Sequence, residues 1–361
     1  MIYINGRFLS QRSTGVQRFS LQLLMALDLL LTRKNISEKF ILLCPLGVSP
    51  PLLLNITIRF VGFGIKGHLW EQLVLPFASR FSYLLNFSGG APLLKVKQFV
   101  TIHDTVLYDY PSAYTFVFRN WYKFLFGVLS KTSRKIFTVS QFSKERLLRI
   151  FNICKERVGV LYNACGHMDS LIADNSILSE LNIEKNTFVL AVGSLNPTKN
   201  ISRLLNAIEK IEVDLVIVGG SNAGVFSIDN EERCKTNVKY AGYITDEKLK
   251  SLYENAIIFI FPSIYEGFGI PPLEAMTCGC PVVASNAASI PEVCGDAAYY
   301  FNPLDVGDME AAIHKVMKNA ELRDRLVANG SARINMFQWE NTAISLFSQL
   351  RQCDLFKESI R

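Results

Sequence analysis

The chain has no apolar run of the ~18 residues that a membrane-spanning helix needs. Its richest stretch, residues 21–31, is broken by Gln22 and Asp28. No leader is expected, because residues 1–4 read as a strand and Asn5, Gly6 and Arg7 follow at once. Histidine is scarce, with four in 361 residues, and the eight cysteines include no C-x-x-C pair. Cys278-Gly279-Cys280 is too tight for an ordinary metal pair. No metal is expected, and the cysteines read as the reduced thiols of a cytosolic protein. No internal repeat or low-complexity tract appears, which excludes solenoids and disordered chains. None of the common nucleic-acid recognition modules is visible, so no nucleic-acid partner is expected.

What is present supports two buried cores: 361 residues with 49% hydrophobic content. The net charge of +6 divides unevenly. Residues 1–165 carry 21 Lys and Arg against 7 Asp and Glu, and residues 166–361 carry 17 against 25. The first half is strongly basic, and nucleic acid, an anionic membrane face or a phosphorylated substrate could answer it.

Short apolar runs without alternation recur at residues 1–4, 40–43, 56–61, 99–102, 136–139 and 158–161. They resume at 188–192, 215–218, 257–261, 282–284 and 297–301. Such runs suit strands buried on both faces of parallel sheets. Helical periods lie between them, as at residues 17–30, 141–151, 201–211 and 309–317. A βαβαβ pattern thus occurs twice and predicts an α/β chain of two doubly wound Rossmann-like domains, with ligands outside the carboxyl ends of the strands. The boundaries are 1–165 and 166–338, with a linker at Asn163-Ala164-Cys165-Gly166. A last helix, residues 339–356, packs back on the first domain, which therefore comprises 1–165 and 339–361. Ser88-Gly89-Gly90-Ala91-Pro92 reads as a flexible loop.

Four places can carry chemistry. In the stretch Glu266-Gly267-Phe268-Gly269-Ile270-Pro271-Pro272-Leu273-Glu274, two carboxylates stand eight residues apart, in a loop and in the helix that follows. Its glycines let a ligand approach the backbone, and a helix start presents N–H groups to an anion. Carboxylates beside an anion site suit a nucleotide sugar. Ser13-Thr14-Gly15-Val16-Gln17 follows the first strand, so Gly15 either admits a phosphate or belongs to a plain N-cap. Thr101-Ile102-His103-Asp104 puts His103 at a strand end, as a cleft residue or half of a capping pair. Lys199, in Gly193-Ser194-Leu195-Asn196-Pro197-Thr198-Lys199-Asn200, can bind a diphosphate or simply be solvated. Residues 113–134, with Phe116, Phe118, Trp121, Tyr122, Phe124 and Phe126 beside Arg119, Lys123, Lys131 and Arg134, read as a basic aromatic interfacial helix or as core with a solvated face. Lys135 extends that basic set, and residues 68–87 form a second such candidate.

These motifs together resemble the retaining glycosyltransferases of family 4, which have the GT-B fold of two domains about a cleft. The likeness covers nearly the whole chain. Its most specific part runs from Phe261-Pro262-Ser263 through Glu266 and Glu274 to Ser285. The start, Ile4-Asn5-Gly6-Arg7-Phe8-Leu9 with Thr14-Gly15-Val16-Gln17-Arg18, resembles the bacterial branch that builds surface polysaccharide, including O-antigen. Trp70-Glu71-Gln72 with Leu75-Pro76, residues 139–143 and Gly242-Tyr243-Ile244 also match family positions.

The resemblance implies transfer of a hexose, with retention and without metal or other cofactor, from a GDP- or UDP-sugar to a lipid-linked saccharide in lipopolysaccharide synthesis. It implies a cytoplasmic protein peripheral to the inner face of an anionic membrane. Glu274 would hold the ribose, and Glu266 the donor sugar and the charge growing at its anomeric carbon. The backbone of Gly267, Phe268, Gly269 and Ile270 would hold sugar and phosphate, and His103 would touch the sugar from the other domain. Gly15, Ser194 and Lys199 would flank the diphosphate, and Tyr243 and Ile244 the base. Arg119, Lys123, Lys131, Arg134 and Lys135 would face membrane or acceptor. One departure is visible: the family often has an arginine where Ser194 or Thr198 stands here, and Arg18 and Arg203 are the nearby substitutes. An epimerase of the same fold, or a weakly active binding subunit, are the alternatives.

Overall fold

The computed structural model describes residues 1–12, 14–34, 36, 38–194, 196–220 and 237–353. Ser13, Leu195 and the end of the expected last helix, residues 354–356, lie outside the described residues. The chain divides into two units, Met1–Asn163 with the segment from Trp339 onward, and Ala164–Gln338.

Unit 1 is a parallel sheet of seven strands: β1 (Ile2–Asn5), β2 (Phe40–Cys44), β3 (Thr57–Phe60), β4 (Tyr83–Asn86), β5 (Gln98–Thr101), β6 (Lys135–Thr138) and β7 (Val158–Val160). Their spatial order is β3-β2-β1-β4-β5-β6-β7. Unit 2 is a parallel sheet of six: β8 (Phe188–Val192), β9 (Asp214–Val218), β10 (Val238–Gly242), β11 (Ile258–Phe261), β12 (Val282–Ser285) and β13 (Ala298–Phe301), ordered β10-β9-β8-β11-β12-β13. The chain direction across each sheet reverses once, between β1 and β4 and between β8 and β11. Those switch points open crevices at the carboxyl ends of the strands, where doubly wound sheets bind ligands.

The core of unit 2 shows why the continuous runs became strands. Val189, Ala191, Leu215, Ile217, Ile258, Ile260 and Val283 are buried against Leu204, Leu205, Ile208, Ile313 and Val316 of flanking helices. A strand covered on both faces keeps no polar side, so its sequence shows no alternation.

Three expectations change. Residues 68–87 do not form one helix. They make two short helices, Gly67–Leu73 and Leu75–Ala78, and then β4, which pairs with both β1 and β5. The loop at Ser88–Pro92 is buried rather than flexible. An added Cβ on Gly90 would lie 2.6 Å from Arg7 Nη2 and 2.7 Å from Glu71 Oε2, so the loop closes over that pair. Lys135, expected at a membrane or acceptor face, is the first residue of β6 and is buried. Its place in the ladder beside Phe99 fixes its backbone inside the sheet.

Candidate functional site

In unit 2 the loop after β11 leads into the helix Ile270–Thr277. Gly269 takes φ 95°, a left-handed turn open to glycine, and Pro271 and Pro272 occupy the first turn, where a missing N–H costs nothing. Ser289 Oγ lies 3.0 Å from the carbonyl oxygens of Glu266 and Phe268 and holds the loop by donating to them. Phe268 is buried edge-on against Phe337, so its backbone, not its ring, is what the loop offers together with Gly267 and Ile270. The N–H groups at such a helix start have no partner within the helix and favour an anion.

The loop after β8 meets this one. Asn200, at φ 61°, donates through Nδ2 to the carbonyls of Pro262 at 3.1 Å and Pro303 at 2.7 Å, and so ties the loops after β8, β11 and β13. Lys199 thereby stands with Nζ 2.5 Å from Glu266 Oε1, and the two side chains are 24% and 13% exposed. Two residues read separately from sequence are thus one ion pair at the switch point of the sheet. Ser194 is exposed and Thr198 buried, the latter bonded to Asn196 Oδ1. Of the two substitutes named above, Arg203 donates through Nη1 to Asn200 Oδ1 at 2.9 Å, one residue from Lys199.

Glu274 is buried. Its Oε2 accepts from Tyr253 Oη at 3.1 Å, and His167 Nε2 stands 3.1 Å from Oε1. Burial first, then the Glu274 charge, hold the Tyr253 phenol protonated well above its ordinary range, so it remains a donor. Burial pushes the neighbouring thiols of Cys165 and Cys278 up to about 11 and 12, which makes them inert neighbours rather than nucleophiles. Tyr253 and His167 were missed by spacing because each acts only through Glu274.

Gly219 and Gly220, after β9, were also missed. A Cβ on Gly219 would lie 2.2 Å from Gly193 O, and one on Gly220 2.3 Å from the Tyr243 ring. A side chain at Gly220 would displace the Tyr243 ring from that strand end, and Ile244 is half-buried beside it. The signal was legible: Val218-Gly219-Gly220 ends an apolar run.

In unit 1, Gly15 opens the helix Gly15–Arg33 and is exposed. His103 sits after β5 with Nε2 2.7 Å from Phe87 O and its ring edge-on to Phe19. Burial lowers its pKa from 6.5 to about 4, against the pull of the Phe87 carbonyl, so the ring is neutral at pH 7 and Nε2–H is the donor. The unfolded chain binds this proton near pH 6.5 and the folded chain not until about 4. Stability from this residue is therefore complete above pH 6.5 and declines as pH falls toward 4. Urea unfolding should show a loss of ~2 kcal/mol between pH 7.5 and 5 that shrinks in His103→Gln. An equal slope in the variant would assign the loss to other groups.

The helix Phe116–Thr132 exposes Phe116, Val117, Phe118 and Phe124 and buries Phe126; Phe118 and Tyr122 also line a cavity with Tyr114. Lys131 and Arg134 are exposed. Arg119 lies over Phe116 and Lys123 over Tyr108.

Two doubly wound parallel units with this strand order are the GT-B architecture, and unit 2 gathers carboxylate, lysine and a glycine-bounded helix start at the switch point of its sheet. Residues 174–333 match the family model of glycosyl transferases group 1. The chain is 33% identical over 223 residues to O-antigen chain mannosyltransferase B of Escherichia coli, covering 58% of each. It is 27% identical over 331 residues to O-antigen chain mannosyltransferase RfbU of Salmonella typhimurium, covering 87% of this chain and 90% of that one. The match thus spans a little over half of the first relative's length and nine tenths of the second's. Among solved structures, sucrose-phosphate synthase from Thermosynechococcus elongatus aligns with TM-score 0.73 at 18% identity over 99% of both chains. WaaG, a glycosyltransferase involved in lipopolysaccharide biosynthesis, aligns with TM-score 0.67 at 14% identity over 96% and 98%. What the family model matches is thus most of unit 2, a little under half of the chain.

Proposed function

We propose that this chain moves a hexose, with retention, from a nucleoside-diphosphate sugar to a lipid-linked saccharide in O-antigen synthesis. The observation that carries the reading is the Lys199–Glu266 pair beside the Ile270–Thr277 helix start, at the switch point of unit 2. Glu274, held by Tyr253, takes the ribose hydroxyls, with Tyr243 and Ile244 at the base. Lys199 and the backbone from Gly267 to Ile270 take the diphosphate, and Ser194 lies along it. As the bond from the anomeric carbon to phosphate oxygen breaks, its electrons pass to the diphosphate, and these cations and N–H groups stabilise them. The acceptor oxygen bonds to the anomeric carbon on the same face, and its proton leaves with the nucleoside diphosphate. Glu266 stabilises the positive charge at that carbon. Lys199 and the helix start supply the charge that a metal supplies elsewhere, so no metal or cofactor is proposed.

The names of the relatives support a mannosyl donor. A panel of GDP- and UDP-sugars with lipid-linked saccharide, scored by nucleoside diphosphate release and by the anomer formed, tests this. GDP-mannose should lead and the product should keep the donor's configuration. Inversion, or conversion of the donor alone as an epimerase would do, would refute the proposal.

The proposed location is the inner face of the cytoplasmic membrane. Among the described residues no helix is long and apolar enough to cross it. Unit 1 exposes Phe63, Phe77 and Phe81 near Lys66 and Arg80, and Phe116, Val117 and Phe124 near Arg119 and Lys131. The two segments are neighbours, since the His68 ring stands 6.1 Å from those of Trp121 and Tyr122. Inserting one phenylalanine into the headgroup boundary is worth ~1.5–3 kcal/mol. Phe77→Ser with Phe81→Ser should therefore weaken flotation with anionic liposomes at least about tenfold, and neutralising Lys131 and Arg134 should weaken it further. Unchanged flotation in both would put this surface elsewhere.

A further inference from the structure

Unit 2 begins with a segment, residues 165–168, that meets the helix Ile270–Thr277 at two points. Cys165 Sγ stands 3.0 Å from Thr277 Oγ1, and His167 Nε2 stands 3.1 Å from Glu274 Oε1. Glu274 and Thr277 are three residues apart and so share one face of the helix. On the other side of His167, Met168 is fully buried, and its carbonyl accepts from Lys250 Nζ at 2.9 Å. The imidazole therefore reaches Glu274 from a backbone that is anchored before and after it.

The ring gains little from this place in the fold itself. The His167 side chain is 10% exposed, and neither Nδ1 nor Nε2 makes a hydrogen bond among the described residues. Nε2 is close enough to Glu274 Oε1 but out of line with it. An unmade bond at a buried polar group costs stability, so an apolar side chain of this size would serve a core better. Tyr253 behaves differently: it is fully buried, and its Oη donates to Glu274 Oε2 at 3.1 Å. One carboxylate oxygen is thus held, while the other has a donor at bonding distance that is not yet aligned. Bonds of this kind in functional sites are often poorly aligned without ligand and tighten in the complex. A carboxylate held at one oxygen can still turn about that bond. Held at both oxygens it has a fixed plane, which is what lets it accept from two adjacent hydroxyls at once.

We propose that His167 is a positioning residue for the nucleotide: its Nε2–H closes on Glu274 Oε1 when the ribose is seated and, with Tyr253, sets the carboxylate plane against the 2′- and 3′-hydroxyls. His167 acts on the nucleotide only through Glu274. This deepens the donor reading above and rests on it.

The test uses the full chain, with His167→Leu and His167→Gln beside wild type. The glutamine amide carries a donor near the place of Nε2, and leucine carries none. Titration calorimetry with GDP and with 2′,3′-dideoxy-GDP, and with the matching UDP pair, reads binding without any acceptor or turnover. His167→Leu should weaken the ribonucleotide about tenfold and the dideoxynucleotide less than about twofold, and His167→Gln should stay within about threefold of wild type for both. In transfer assays His167→Leu should raise donor KM about tenfold and leave kcat within about twofold. Should the leucine variant not fold, His167→Asn takes its arm, since that amide stops short of Oε1. An equal loss for ribo- and dideoxynucleotide would make His167 a structural support alone, and no loss for either would remove it from the site; both results overturn the proposal and leave the donor reading standing. Wild type that binds neither GDP nor UDP would overturn the donor reading, and this inference with it.

Discussion

Glu266→Ala is expected to lower sugar transfer about a thousandfold while thermal unfolding stays near that of wild type. The two halves of that expectation have separate grounds. Glu266 is part of the loop end, but the loop's shape is held by Ser289 on its carbonyls, by Gly269 and by the prolines, none of which the substitution touches. What it removes is one carboxylate 2.5 Å from an ammonium that is 24% exposed. Water reaches Lys199, so the stranded cation costs little stability. The chemistry loses more. On the proposed reaction, a carboxylate at the reacting sugar counters the positive charge of the transition state without having to reorganise, and removing one such group costs ~10²–10³ in kcat. Lys199→Met should act on the departing diphosphate, raising donor KM as well as lowering kcat. Because the residues are paired, the double variant should fall short of the product of the two losses. Initial rates of nucleoside diphosphate release give all three numbers. Transfer by Glu266→Ala within about fivefold of wild type would remove the carboxylate from the reacting centre.

How much of this was legible depends on how far along the chain the partners lie. Phe188–Val192 and Phe40–Cys44 were read as strands because a buried parallel strand is apolar on both faces and keeps one short run together. Tyr83–Asn86 was misread, since Phe77, Phe81, Tyr83 and Phe87 mimic the stripe of an aromatic helix, and only pairing on both sides makes that segment a strand. Val238–Gly242 was passed over as an edge strand with Lys239 in its middle. The Glu266–Glu274 stretch was legible because a loop and the helix after it are local. Their partners were not: Lys199 is 67 residues from Glu266, and nothing in the spacing says that an Asn200 hinge brings them together. The aromatic helix shows the same limit from the other side. Its composition gave one stripe, whereas in the fold Phe116, Phe118 and Phe124 are exposed, Phe126 is buried, and Phe118 and Tyr122 line a cavity.

The largest loss of stability is expected from Glu71→Ala, at ~3–5 kcal/mol. Glu71 is fully buried, and its side chain answers three neighbours at once: Arg7 Nε at 3.1 Å, Asn5 Nδ2 at 2.8 Å and His68 Nδ1 at 3.5 Å. Through Asn5 it reaches Asn86 Oδ1 at 2.9 Å, and through Asn86 it reaches Gln98 at 3.1 Å, so the network crosses β1, β4 and β5 where the sheet reverses. Alanine would leave the Arg7 guanidinium in the interior with no counter-charge, and Gly90 leaves it no room to swing aside. Melting of the chain should drop by roughly 10 °C at ~2–4 °C per kcal/mol for a unit of this size. Arg7→Met with Glu71→Leu should recover much of that loss, since apolar side chains of similar volume replace a buried pair at little cost. A double variant that melts as low as Glu71→Ala would show that the interior needs the pair's shape and hydrogen bonds rather than the cancellation of its charges.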